Sequence, residues 1–93
     1  MVLSAARYHY LRMAKPSANY SGNPALVSIG KTIRQIRVEL NLSQEALAND
    51  AGIDRSYMGG VERGEHNLTL ISLQKICNSL HISISNLLER AEV

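Results

Sequence analysis

The stretch that decides the fold is residues 43–64, SQEALANDAGIDRSYMGGVERG. Ser43 is a residue type that caps helices by accepting a hydrogen bond from a free backbone N–H, and Gln44 and Glu45 suit the positive end of the helix that follows. The pattern predicts a short helix over residues 44–51. Gly52 stops it, because glycine adopts a left-handed backbone without a clash at Cβ. Asp54 then caps another helix over residues 55–63, and Gly64 ends that one. Ala48 is the small residue that lets the two helices approach, and Leu47, Ala51, Ile53, Met58 and Val61 are the apolar side chains that hold the later helix against a body. None of these positions says much alone; together they read as helix, tight turn, helix.

The periodicity continues outward from this unit. Ile29, Ile33, Ile36 and Leu40 recur at spacings of four, three and four residues, an apolar stripe on a preceding helix. Asn23 suits its N-cap, Pro24 its first position, and Asn41 and Leu42 close it. Downstream, Thr69 caps a fourth helix whose apolar face is Leu70, Leu73, Ile76, Cys77 and Leu80. Ser83 or Ser85 caps a last short helix carrying Leu87 and Leu88. No strand alternation or internal repeat stands out. The expected fold is therefore all-α, five short helices in one unit. Leu3–Ala14 is compatible with an extra N-terminal helix, Ala6, Tyr10 and Met13 falling roughly on one face, but a helix that short needs a partner surface to persist. Lys15 to Pro24 is rich in turn formers and reads as a linker. The expected organisation is a leader and linker over residues 1–23 and a domain over residues 24–93.

A chain of 93 residues supports one small domain. Its single cysteine, Cys77, makes no intrachain disulfide and no cysteine-rich zinc site, which fits a reducing, cytoplasmic setting. Cys77 reads as a small buried hydrophobe rather than a redox sensor. No run of 18 apolar residues exists, so no membrane span is expected. The first residues lack the unbroken apolar stretch of a signal peptide; Met13 is an alternative start. His9, His66 and His81 are scattered, the serines lack a nucleophile motif, and no paired carboxylates mark a cleft. No metal, cofactor or catalysis is expected. The net charge of +2 is unevenly spread. Arg7, Arg12 and Lys15 stand in residues 1–23 without an acid, whereas residues 24–93 carry seven Lys/Arg against eight Asp/Glu. The leader reads either as a basic arm, which on a nucleic-acid partner would reach phosphates or the minor groove, or as a helix packing on the domain or on a partner subunit.

The residues Ile36-Arg37, Leu42 to Ala48, Gly52 to Tyr57, Val61 to Gly64 and Asn67 resemble the phage-repressor and Cro-like (Xre) helix-turn-helix family over roughly residues 28–90. Glu62-Arg63-Gly64-Glu65-His66-Asn67-Leu68-Thr69 resembles the controller proteins of restriction–modification systems. The resemblance implies a five-helix, lambda-repressor-like domain. It also implies a sequence-specific transcriptional regulator acting as a homodimer on a pseudo-palindromic double-stranded DNA operator. The alternatives are a phage-type repressor or the antitoxin of a toxin–antitoxin pair, with the leader as toxin-binding segment. The chain leaves no room for a ligand-sensing domain, so no small-molecule effector is expected.

The resemblance places the helix over residues 55–63 in the major groove. Arg55 is the first candidate for base readout, since a guanidinium bonds guanine O6 and N7 together. Ser56 reaches a base or phosphate; Tyr57 touches a thymine methyl, bonds a phosphate, or packs on the core. Gly59 stands where the family often has Ser, and Gly59 and Gly60 together cost roughly 1 kcal/mol each relative to alanine. They imply either close approach of DNA or a helix ordered mainly by DNA. Ser43 and Gln44 assist a phosphate at free amides, and Arg63, His66 and Asn67 fall where the family touches phosphates. With His66 as an anchor, affinity is expected to rise as pH falls toward 6. Lys31 and Arg34 read as a solvated face. Arg37 and Glu62 are expected to form a structural ion pair, and Ile82, Ile84, Leu87 and Leu88 to supply the dimer interface while finishing the core.

Overall fold

The computed structural model describes residues 16, 17 and 19–93; the helix considered over Leu3–Ala14 lies outside them. Five helices follow in chain order: α1 Pro24–Glu39, α2 Gln44–Ala51, α3 Arg55–Glu62, α4 Leu70–Ser79 and α5 Ile84–Arg90. Among the described residues there is no strand.

Each helix begins on a side-chain cap. Asn23 Oδ1 accepts from Ala25 N–H at 2.9 Å, and Ser43 Oγ accepts from Ala46 N–H at 2.9 Å. Asp54 Oδ2 accepts from Tyr57 N–H at 3.2 Å, and Thr69 Oγ1 from Ser72 N–H at 3.0 Å. Of the two serines open for α5, Ser83 is the cap, its Oγ accepting from Asn86 N–H at 3.0 Å. Each cap satisfies one of the amides a helix start leaves unpaired.

Each helix also ends the same way. Asn41, Gly52, Gly64, His81 and Glu92 are left-handed, with φ between +56° and +74°. The next residue's N–H turns back onto the helix: Leu42 to Arg37, Ile53 to Ala48, Glu65 to Gly60, Ile82 to Cys77 and Val93 to Leu88. This six-to-one bond satisfies an orphan carbonyl and reverses the chain. Three of the five turns run straight into the next cap, as Asn41-Leu42-Ser43, Gly52-Ile53-Asp54 and His81-Ile82-Ser83, with Leu42, Ile53 and Ile82 half-buried.

The core is built from Ile29, Ile33 and Ile36 of α1, Leu47, Ala48 and Ala51 of α2, and Met58 and Val61 of α3; Leu73, Ile76, Cys77 and Leu80 join from α4 and Leu87 and Ala91 from the chain end. Two residues assigned to apolar stripes leave it. Leu40 is 43% exposed, because α1 has already ended and Leu40 serves as its C-cap. Leu70 is 68% exposed, because it opens α4 one turn outside the packed face. Burial pushes the Cys77 thiol above its ordinary range.

α1 meets α3 through backbone. A Cβ on Gly30 would overlap the Val61 carbonyl oxygen and lie 2.7 Å from that of Glu62. One on Gly64 would lie 2.8 Å from Val27 Cα. Two glycines on the α1–α3 seam thus allow a helix separation that no larger residue permits. Ser17 and Gly22, in the stretch assigned by composition to a linker, lace onto the same corner. Ser17 N–H donates to the Glu65 carbonyl at 2.7 Å and Gly22 N–H to that of Gly64 at 2.9 Å. Asn67 N–H donates to Ser17 Oγ at 3.0 Å.

Candidate nucleic-acid interface

α2 and α3 pack on each other, with Ala48 fully buried between α2 and the rest of the core. The angle of α3 is fixed from beneath by charge. Arg37 Nε donates to Glu62 Oε2 at 2.7 Å and Nη2 to Oε1 at 3.0 Å, a two-pronged pair. Arg37 Nη1 also donates to the Leu42 carbonyl at 2.8 Å. One guanidinium therefore joins α1, the end of α3 and the turn before α2. The pair lies well inside, with side chains 12% and 3% exposed, and Glu62 holds the Arg37 guanidinium above its already high ordinary pKa.

Gln44 belongs to this cluster rather than to the outer surface. Its Nε2 donates to Glu62 Oε1 at 3.1 Å, which turns the side chain inward and corrects its expected part in phosphate binding. What α2 offers outward is the exposed Ser43 cap and the amides of its first turn. Gln44 also accounts for Gly59. A Cβ there would stand 3.2 Å from Gln44 Oε1 and 3.1 Å from Arg63 Nη1. Gly59 is buried between those side chains, so close approach of DNA is not its reason.

Arg55 and Ser56 open α3 on the exposed side. Tyr57 is half-buried, and its ring stacks on that of His66 with centroids 4.5 Å apart and planes at 21°. His66 is the largest departure from the sequence reading. It is 6% exposed, and its Nε2 is buried without a hydrogen-bond partner. A Cβ on Gly60 would overlap that nitrogen, so Gly60 is the floor on which the imidazole sits. His66 is thus no exposed phosphate anchor. Burial depresses its pKa; the neighbouring Glu65 carboxylate opposes the shift and Arg63 adds to it. The expected gain in affinity toward pH 6 falls with the anchor.

Arg63 is the C-cap of α3 rather than its last residue and is well exposed. Its guanidinium is engaged by Glu65, Nε to Oε2 at 2.9 Å and Nη2 to Oε1 at 3.2 Å. The pairing holds the Glu65 carboxyl below its ordinary range. Asn67 is exposed in side chain while its backbone is held by Ser17. Sequence reading missed Glu65, His66 and Ser17 as structural members of this corner; a glycine pair facing a histidine six residues on was the available signal.

Of the four residues expected at a dimer surface, Leu87 is fully buried and is core. Ile82, Ile84 and Leu88 pack against the core while keeping partial exposure. On the other side of α5, Arg90 pairs with Glu39 of α1. Among the described residues no group of His, Cys, Asp and Glu could hold a metal ion, and no helix is long and apolar enough to cross a membrane.

The helix-turn-helix family matches residues 33–87, from mid-α1 into α5. Control protein C.SmaI of Serratia marcescens is 42% identical over 62 residues, 67% of this chain and 74% of that protein. The crystal structure of the restriction–modification controller protein C.AhdI from Aeromonas hydrophila superposes with a TM-score of 0.65 at 45% identity, covering 67% of this chain and 94% of that one. Controller protein C.Esp1396I, in its nucleoprotein complex, superposes with a TM-score of 0.67 at 35% identity, covering 73% of this chain and 91% of that one. With the capped α2–turn–α3 unit in place and relatives of this extent, the chain belongs to the Xre-like helix-turn-helix family and is a relative of the restriction–modification controller proteins.

Proposed function

We propose that this chain is a sequence-specific DNA-binding transcriptional regulator, acting in the cytoplasm as a homodimer on a roughly palindromic operator, as a restriction–modification controller. The observation that carries the reading is the α2–turn–α3 unit, clamped through Arg37, Glu62 and Gln44, with Arg55 and Ser56 exposed at the start of α3. In a helix-turn-helix this is the end that meets base edges in the major groove. Arg55 reads a guanine, Ser56 and the open edge of Tyr57 add contacts, and the α2 amides with Ser43, Arg63 and Asn67 hold phosphates.

Two-fold pairing sets two α3 helices about 34 Å apart, one turn of DNA. Ile82, Ile84 and Leu88 supply the pairing surface. The domain over residues 24–93 is nearly neutral, so binding rests on a few placed contacts and dimer geometry. Regulation then follows protein concentration, because dimerisation and operator binding are linked by mass action. Selection of bound duplexes from a random pool tests the function. The expected product is a two-half-site consensus, and Arg55→Ala should cost about 1–3 kcal/mol and relax one base pair per half-site. Recovery of no consensus would overturn the reading.

A further inference from the structure

His66 is placed in a way that neither its own stability nor a phosphate contact explains. A buried nitrogen without a partner is costly, and an apolar ring would avoid that cost. Yet the imidazole lies against Gly60 on one side and the Tyr57 ring on another, and Gly60 leaves no room for anything larger beneath it. Tyr57 lies two residues after Arg55 in the first turn of α3, half-buried and packed against the core with the rest of its side chain open, and the ring it stacks on belongs to the loop after α3, not to the helix. That loop is in turn pinned at Glu65 and Asn67 by Ser17. The chain of contacts runs from the loop through His66 to the ring of Tyr57.

We propose that His66 is a positioning residue for DNA recognition: seated on Gly60 and stacked on Tyr57, it sets the orientation of the Tyr57 side chain at the start of α3. This deepens the proposed function and rests on Tyr57 lying at the DNA interface. Neutrality is part of the device. The charged groups around the ring are Glu65 and Arg63 on its own loop, with the Tyr57 phenol on α3. In sequence, residues 16–30, from which Ser17, Gly22, Val27 and Gly30 meet this corner, and residues 67–74 at the start of α4 carry no Asp, Glu, Lys, Arg or His, Tyr20 being the one titratable side chain there. A proton on the ring would therefore be a buried charge with Glu65 as its compensation and Arg63 against it, and the stack would open.

The test uses the full chain and its selected operator, with binding measured against pH and salt. His66→Ala is expected to weaken binding about tenfold at pH 7.5 while leaving the salt slope unchanged, since every phosphate keeps its partner. His66→Phe keeps the stack and is expected to recover most of that loss. Wild type should weaken relative to His66→Phe as pH falls from 7.5 to 5.5. Gly60→Ala, which drives a Cβ into the imidazole, should weaken binding in the wild-type background and much less so beside His66→Ala; this cycle holds the test open should one variant fold poorly. Equal losses in His66→Ala and His66→Phe, a shallower salt slope, or tighter binding of wild type at low pH would overturn the proposal in favour of a phosphate contact. Tyr57→Ala separates the two claims. No effect of it on binding removes Tyr57 from the interface and the proposal with it. An effect of Tyr57→Ala beside none from His66→Ala removes the positioning role alone.

Discussion

Arg37 and Glu62 form the most deeply buried ion pair among the described residues, and Glu62 is almost completely enclosed. Arg37→Ala should cost about 3–5 kcal/mol in urea unfolding, most of it from stranding the carboxylate. Changing Arg37→Met together with Glu62→Leu should lose much less; an equal loss would mean that packing rather than charge dominates. Arg63 presents the opposite situation. It is exposed and already occupied by Glu65, so a phosphate must compete for it. Glu65→Gln should tighten operator binding at low salt and steepen the salt slope by up to about one unit; an unchanged slope would place Arg63 off the DNA backbone. His66 makes a third prediction, on stability. Its folded pKa lies below its unfolded value, so the unfolded chain takes up the proton first. Stability is then complete above the ordinary histidine range, about 6.5, and is lost as pH falls through it. His66→Phe should flatten this part of the pH–stability curve. These details were poorly legible in the sequence. Arg37–Glu62 came through the family resemblance, while the burial of His66 rests on the space that Gly60 leaves, of which the Gly59-Gly60 pair was the one trace along the chain.

At the scale of elements, the helices were written locally. Asn23, Ser43, Asp54, Thr69 and Ser83 each stand where a cap is needed. The left-handed stops were half-legible: Gly52 and Gly64 are the residues such a position favours, but His81 takes the same conformation, with φ +56°. A side chain there is strained, so His81→Gly is expected to stabilise the fold by up to about 1 kcal/mol in thermal unfolding. Stripe membership failed at helix ends: Leu40 is already the C-cap of α1, and Leu70 opens α4 outside its packed face, since periodicity does not record where the packed part of a helix stops. Gly30 shows what packing adds. In isolation it weakens α1; in the fold it is where α3 comes closest. Gly30→Ala should raise helix propensity yet destabilise the protein by about 1–3 kcal/mol, because α1 and α3 must part.

For the whole molecule, assembly and the leader set how DNA is held. Ile84→Glu, on the partly exposed side of α5, should give a folded monomer by light scattering at tens of micromolar and abolish tight operator binding, because two weakly held half-sites no longer act together. A persisting dimer would move the interface elsewhere. The leader carries three positive charges and no acid, and it joins the described chain at Pro16–Ser17, beside the loop after α3. Removing residues 1–15 should lower the magnitude of the salt slope by nearly one unit for each phosphate that the leader neutralises; an unchanged slope would favour packing on the domain.

The all-α class, the caps and turns, the order of the helices over residues 24–93 and the helix-turn-helix at residues 43–64 follow from the order of the amino acids, because each depends on neighbours within a few residues. Which side chains of that unit face outward was settled by packing between distant parts of the chain. Gln44 turned in to Glu62, His66 sank onto Gly60, Leu87 went to the core, and Ser17 tied the linker to the loop after α3. These outcomes depend on residues far apart in the chain meeting at fixed distances, and on space left by glycines, neither of which periodicity or composition records.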